Sequence, residues 1–352
     1  MQPLILNALD QSPITNGMQP AEAIHETIAL AQHCERLGMK RFWVAEHHNT
    51  AAFAGSAPEV LLAHLAAKTE HIHIGSGGIM ISHYSPLKIA EQFQVLSALA
   101  PNRLDLGIGR AAGADPRTAA ALQAGPRAWP PEAFPQQLDM IRQFLDDAQG
   151  RSGDSGGFPL DHPYQGIRAQ PTQAPMARLW VLGSGGDSAL YAAHFGLPYV
   201  YADFIGGLEG RASIALYREH FVPSAHEPRP VVAFAATALA APSVEEAHRL
   251  AAPIKLWSVR QRSGQTSPIP SFAEAEAHQY SEQESQMLAQ TRDRMIIGTG
   301  ETVIAACHDI ATHFFVDEFF LVTITPDAAA RAQSYSLIMR ANEAWAQTAR
   351  SA

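Results

Sequence analysis

Short apolar runs and longer amphipathic stretches alternate along the whole chain. "LILNAL" reads as a strand, and the stretch from about Ala21 sets Ile24, Ile28, Ala31, Cys34 and Leu37 at helical spacing before Gly38 stops it. "RFWVA" is a second strand, followed by the helix "APEVLLAHLAAKT" with Pro58 near its first turn. "HIHIGSGGIM" is a third strand. "SPLKIAEQFQVLSALA" then predicts a helix with Ser85 as its cap, Pro86 at its first position, and Ile89, Phe93, Leu96 and Ala100 facing inward. The alternation continues through "RLDLGIG" and "LDMIRQFLDDA", "RLWVLGS" and "SALYAAHFG", "PYVYAD" and "GRASIALYREHF", "PVVAFAATALA" and "SVEEAHRLAAPI". The last strand is "EFFLVTIT", with a helix from near Asp327 after it and an extra helix, about Glu301 to His313, before it.

Strands that are apolar on both faces must be covered on both faces, and each here is followed by a helix that can do so. The expected fold is α/β, a (β/α)8 TIM barrel forming one domain over residues 1–352, with insertions after strands 4 and 7. A doubly wound open sheet is the alternative. The insertions are "RAAGADPRTAAALQAGPRAWPPEAFP" and the polar stretch from about Trp257 to Arg294, both longer than a connection requires.

Composition narrows the class. With 47% hydrophobic and 17% charged residues the chain can fill a large core, and a net charge of −9 argues against a nucleic-acid partner. No apolar run is long enough to span a bilayer, so no membrane partner is expected. "MQPLILNALD" lacks the basic region and cleavage site of a signal peptide, which predicts a cytoplasmic location. Cys34 and Cys307 are too few for a disulfide framework or a four-thiolate metal site.

In such a barrel the chemistry lies at the carboxyl ends of the strands. Just past strand two come Glu46, His47, His48 and Asn49. The pair of histidines could bind metal, but adjacent side chains diverge and no matching set follows, so no metal is expected. The other reading of "EHH" is a polar network closing the barrel mouth. His71 and His73 resemble a metal motif too, but they open strand three on the opposite face and read as structural.

The "GSGGIM" segment (Gly75 to Met80) is either a tight turn or, because the chain runs on as "IMIS", a backbone surface for a flat ligand. Arg110, at the tip of strand four, suits a phosphate through its fork of donors or is simply a surface arginine. In "VLGSGGDSALYAAHFG", Gly183, Ser184, Gly185 and Gly186 lead into a helix starting near Asp187. Exposed N–H groups, a serine hydroxyl and a helix N-terminus make a phosphate cradle, and the bland alternative is an ordinary βα turn. Asp187 is out of place in an anion site unless it points away and caps the helix.

"RFWVAEHHN", "IGSGGIMISHYSPLKIAEQFQVLSALAPNRLDLGIGRAAG" and "VLGSGGDSALYAAHFGLPYVYADF", in that order, resemble the bacterial luciferase-like flavin monooxygenases. The closing "IIGTGETV" and "DEFFLVTIT" do so as well. The resemblance, nearest to single-chain members of unassigned substrate, implies FMN as cofactor, its reduced form supplied by a separate flavin reductase. It implies that reduced FMN and O2 oxidise a small organic substrate, aldehyde-like or other, through a peroxyflavin. It places Ser76, Gly77 and Gly78 against the flavin, with a cis peptide between the two glycines. It gives the phosphate to Arg110, Gly183, Ser184, Gly185, Gly186 and Ser188, makes His47 the catalytic histidine, and makes the stretch after strand seven a mobile lid. His47 would hold or exchange a proton, work suited to a pKa near neutrality. A homodimer through the helices after strands two and three is also implied. Gly109 stands where the light-emitting members carry a reactive cysteine, which turns the reading away from luminescence.

Two alternatives keep the same barrel: a deazaflavin-dependent oxidoreductase, and a flavin-binding protein without turnover. Trp129 and Phe134 either wall the substrate pocket or merely pack.

Overall fold

A computed structural model describes residues 3–351 apart from 112, 124–128, 152–156 and 292–293. Among the described residues nine parallel strands are formed: β1 (Ile5–Asp10), β2 (Arg41–Val44), β3 (His73–Met80), β4 (Leu104–Gly109), β5 (Arg178–Gly183), β6 (Tyr199–Ala202), β7 (Val232–Ala240), β8 (Met295–Gly298) and β9 (Glu318–Val322). Each pairs with the next from β1 to β7, then β7 pairs with β9 and β9 with β1, so eight strands close a ring. The expected (β/α)8 barrel is the fold. β8 lies outside the ring, and it was not among the expected strands. It pairs with the far half of β7, Thr237 to Ala240, beyond most of the β9 ladder.

Proline placement marks the helices well. Pro58 opens the helix Pro58–Lys68 and Pro86 opens Pro86–Leu99, where a missing N–H costs nothing. Ser85 holds the cap position of the second helix but makes no side-chain capping bond. "SVEEAHRLAAPI" is not one helix. Val244–Leu250 ends and Ala252–Arg262 begins, because Pro253 lies in the first turn of the second. The stretch that follows β7 also holds Phe272–Ala277 and Glu282–Thr291. The insertion after β4 contains the helix Pro116–Leu122, while its residues 112 and 124–128 lie outside the described chain.

Two cores result from the period-two alternation of the strands. Phe42 and Val44 belong to the larger one, packed against the helices. Trp43 belongs to the inner one, with Leu9, Trp180, Ala233, Ala235 and Phe320. Trp43 lies 4.1 Å from Phe320, ring centre to ring centre, and meets Trp180 edge-on at 5.5 Å.

Below this aromatic layer, at the amino-terminal end of the barrel, lies a charged plug. Arg41 donates through Nη1 to both Asp105 oxygens at 2.8 Å and through Nε to Glu318 Oε2 at 2.9 Å. The Trp43 and Trp180 indoles also donate to Asp105, and Asn7 donates to Glu318. Burial works against the guanidinium's charge, but the two carboxylates outweigh it and push its pKa up. Burial likewise opposes the Glu318 charge, and Arg41 overcomes it, holding that carboxyl below its ordinary value.

Candidate active site at the carboxyl end of the barrel

His47, Arg110 and the Gly183–Ser188 loop lie at or just beyond the carboxyl ends of β2, β4 and β5, while Ser76, Gly77 and Gly78 lie within β3, two to four residues before its end. Past β2 the chain leaves the sheet, and the His47 N–H donates to Gly55 O at 2.8 Å. The His47 ring lies 4.8 Å from Phe53, which in turn meets Trp257 edge-on at 5.4 Å. His47 Nδ1 is buried and has no hydrogen-bond partner among the described residues. Burial, with a smaller contribution from His48, lowers the His47 pKa to about 4. The expectation of a near-neutral pKa is therefore corrected: at pH 7 burial holds this imidazole neutral.

Glu46 is fully buried and takes three donors. His48 Nε2 at 2.8 Å and the Tyr84 hydroxyl at 2.7 Å share Oε1, and the Met80 N–H reaches Oε2 at 2.9 Å. Burial and then Glu46 push the Tyr84 pKa up, so its hydroxyl remains a donor. His48 also meets His83 edge-on. Glu46, His48 and Tyr84 thus form the polar network that the residue pattern offered as one reading of "EHH". His47 stands outside it.

On β3 the Ser76 hydroxyl is fully buried, donating to Gly107 O at 2.9 Å and accepting the Gly107 N–H at 3.1 Å. The β3–β4 register slips between Ser76 and Ile79, and the Gly77–Gly78 peptide is cis. A Cβ on Gly77 would come within 2.5 Å of Leu9 Cδ1, and one on Gly78 within 2.8 Å of Gly107 O. At Gly78 the obstacle is backbone and only glycine fits, whereas at Gly77 it is the end of the Leu9 side chain, which would have to move.

Beyond β4, Arg110 Nη1 lies 2.6 Å from Asp187 Oδ2, and both side chains are exposed. Asp187 does not cap its helix. That position belongs to Gly185, and the helix Gly186–His194 starts directly after it. An exposed pair of this kind contributes at most about 1 kcal/mol, so an incoming anion can compete with Asp187 for Arg110.

Around the loop, Ser188 donates to Gly185 O at 3.0 Å, while a Cβ on Gly183 would collide with Ser188 Oγ. The space beside Gly185 is open. The neighbouring helix, Asp203–Gly210, presses Gly206 and Gly210 onto Ser184 O, where an added Cβ would come within 2.7 and 2.6 Å. This buttress was missed, although the glycines of "GGLEG" after strand six signalled a close approach. Phe53, Trp257 and Tyr84 were missed as well, and only the fold brings them to the site. Phe134 is a packing residue, buried against Tyr191.

The model of the luciferase-like monooxygenases matches residues 4–317. The chain belongs to the luciferase-like monooxygenase family. It is an oxidoreductase of the monooxygenase class. Among its relatives, the uncharacterized protein YceB of Bacillus subtilis (strain 168) is 39% identical over 94% of this chain and 97% of its own length. The N-acetyl-S-alkylcysteine monooxygenase of the same organism is 35% identical over 95% of this chain and 96% of its own. The crystal structure of apo-MsnO8 superposes with a TM-score of 0.87 at 34% identity, covering 97% of this chain and 98% of that one.

Proposed function

We propose that this protein is the oxygenase component of an FMN-dependent monooxygenase, taking reduced FMN from a separate reductase and using O2 to oxidise a small organic substrate. The observation that carries this reading is a convergence at one barrel mouth. A side-chain-free stretch of β3, a glycine-serine loop backed by a helix N-terminus, and a neutral imidazole whose buried Nδ1 has no partner among the described residues are gathered there. A flat ring needs bare backbone, a phosphate needs N–H groups and a cation, and the orphan nitrogen needs a partner. The residues present fit FMN on all three counts.

In this reading Gly77 and Gly78 face the isoalloxazine. The backbone of Gly183, Ser184, Gly185 and Gly186, the Ser184 hydroxyl and Arg110 hold the phosphate. Ser76 and Ser188, whose hydroxyls are committed to Gly107 and Gly185, act by fixing the shape of strand and loop. Reduced FMN, when bound, supplies the electrons that activate O2. His47, held neutral, holds or shares a proton with the reacting group through Nδ1, with Phe53 packed on its ring and Trp257 against Phe53. The N-acetyl-S-alkylcysteine relative makes a thioether of that kind the first substrate to offer.

The same reading includes a homodimer. The helices Pro58–Lys68 and Pro86–Leu99 line a cleft of about 480 Å³ and expose Val60 (67%), Val95 (49%) and Leu99 (55%). Such a patch is suited to burial against a second copy.

The test is titration of the protein with reduced FMN and with reduced deazaflavin, then O2 consumption with N-acetyl-S-methylcysteine and a flavin reductase. FMN binding with substrate-stimulated O2 uptake and a sulfoxide product is the expected result. A preference for the deazaflavin, or FMN binding with no turnover on any substrate, would overturn the assignment. Light scattering giving a monomeric mass would remove the dimer.

A further inference from the structure

Past the end of β1 lies a buried polar cluster that the reading above does not use. Asp10 is the last residue of that strand. Its Oδ2 accepts from Thr27 Oγ1, on the helix Pro20–Arg36, at 2.6 Å and from the Ser12 N–H at 3.2 Å. The Ser12 and Thr27 hydroxyl oxygens lie 2.8 Å apart, and Arg331 brings Nη1 to 3.6 Å from the other Asp10 oxygen. All four side chains are buried.

What the cluster holds is a turn. Ser12 has φ +51°, a left-handed conformation that a residue with a side chain rarely adopts and keeps only where its surroundings enforce it. Glycine would make the same turn unstrained and without a buried charge beside it. Serine with Asp10 gives the turn one shape, because its N–H and its hydroxyl are both fastened.

The turn in turn grips the chain beside His47. The Ser12 carbonyl accepts the Ala54 N–H at 2.9 Å, the Ile14 N–H donates to Ala52 O at 2.7 Å, and Pro13 and Phe53 form an antiparallel bridge. Residues 12–14 therefore clamp residues 52–54. Phe53 is the ring against His47, and Gly55, two residues on, accepts the His47 N–H. Gly55 has little room, since an added Cβ would stand 3.1 Å from Ala45 O and 3.5 Å from Ser12 Oγ. Asp10 also takes the Ala45 N–H on its own carbonyl at 3.0 Å, and so fixes the strand end from which His47 departs.

We propose that Asp10, Thr27 and Ser12 are positioning residues for His47, holding the turn that fixes where its imidazole stands. The placement stands on the hydrogen bonds. Its value to turnover rests on the reading of His47 as the proton-handling group.

Thr27→Val removes the hydroxyl at nearly constant shape, and Thr27→Ser keeps it. Histidine ring resonances of the flavin-free protein, with His47 assigned by its loss in His47→Ala, are followed against pH. Burial holds the parent His47 at about 4. In Thr27→Val the imidazole loses its fixed place and should titrate upward, towards 6.5, while Thr27→Ser should keep the parent's value. With reduced FMN, O2 and N-acetyl-S-methylcysteine, kcat of Thr27→Val should fall by up to about 10²-fold at unchanged FMN affinity. Thermal melting checks that each variant is folded. Should Thr27→Val fail to fold, Ser12→Gly takes its place, since glycine tolerates the turn while releasing the hydroxyl, and a smaller shift in the same direction is expected. Folded variants that melt lower than the parent yet leave the His47 titration unmoved would reduce the cluster to a structural role and overturn the proposal. A moved titration, with His47→Ala turning over at the parent's rate, would uphold the positioning and sink the reading of His47 instead.

Discussion

The two ends of this barrel handle polar groups in opposite ways. At the amino-terminal end, Arg41, Asp105 and Glu318 are buried, and every charge is met by an opposite charge or an indole or amide donor. At the carboxyl end, among the described residues, His47 Nδ1 is buried without a hydrogen-bond partner and the exposed Arg110 pairs with Asp187. The charges of the lower end are met within the fold, whereas the upper end pairs Glu46 internally yet leaves His47 Nδ1 without a partner among the described residues. A saturated network fixes the fold, and an open one is available to a ligand.

The sharpest way to break that contrast is at the lower end. Arg41→Met would leave two buried carboxylates facing each other, a change that typically costs about 3–5 kcal/mol. Denaturant unfolding should register that loss, while FMN affinity of the protein that remains folded should be unchanged. At the upper end the effect reverses. His47→Ala should melt close to the parent yet lose roughly 10²–10⁴-fold in turnover, as removal of a positioned acid–base group does.

His48→Ala lies between the two. Although it adjoins His47, its bond is to buried Glu46, so loss of about 1–3 kcal/mol of stability with retained turnover is expected. Melting and O2 consumption on both histidine variants decide this, and turnover lost at His48 but kept at His47 would reverse the assignment. Smaller again is Asp187→Asn, which frees Arg110 for phosphate and should tighten FMN by up to about fivefold in a titration.

A further difference is in pH. The folded His47 pKa is about 4 against an ordinary 6.5, so between these values the unfolded chain binds a proton that the folded chain refuses. Stability is then fully present above pH 6.5 and declines as pH falls towards 4, by roughly 1–3 kcal/mol. Melting temperatures of His47→Ala across this range should lack that component of the decline.

The barrel was legible because its signals are local. Pro58 and Pro86 open helices wherever they occur, and apolar strands followed by amphipathic helices admit few architectures. The glycine-serine loop proposed to hold the phosphate was legible as a loop for the same reason, its glycines and the helix behind them being contiguous. The charged plug was hidden, since Arg41 finds its partners 64 and 277 positions away. A charge opening each of three apolar strands was the available clue. The separation of His47 from His48 depends on Phe53, Gly55, Tyr84 and Trp257, which come together only after folding. β8 was missed because four residues beside a glycine turn carry too weak a pattern to distinguish strand from loop.

The placement of β8 has a consequence for chain entropy. Segment 241–294 leaves from the end of β7, and β8 brings it back onto that same strand, with Ala241 N–H bonded to Gly298 O at 3.0 Å. Its two feet are pinned side by side, so the chain between them is a loop already closed. Doubling such a loop costs only about 0.6 kcal/mol in closure entropy. The largely exposed stretch 276–289 can therefore be lengthened or shortened at small cost, whereas Leu250, Ile254 and Ile269 of the same segment pack in the inner core and are held. A new substrate could be accommodated by rewriting that one detour.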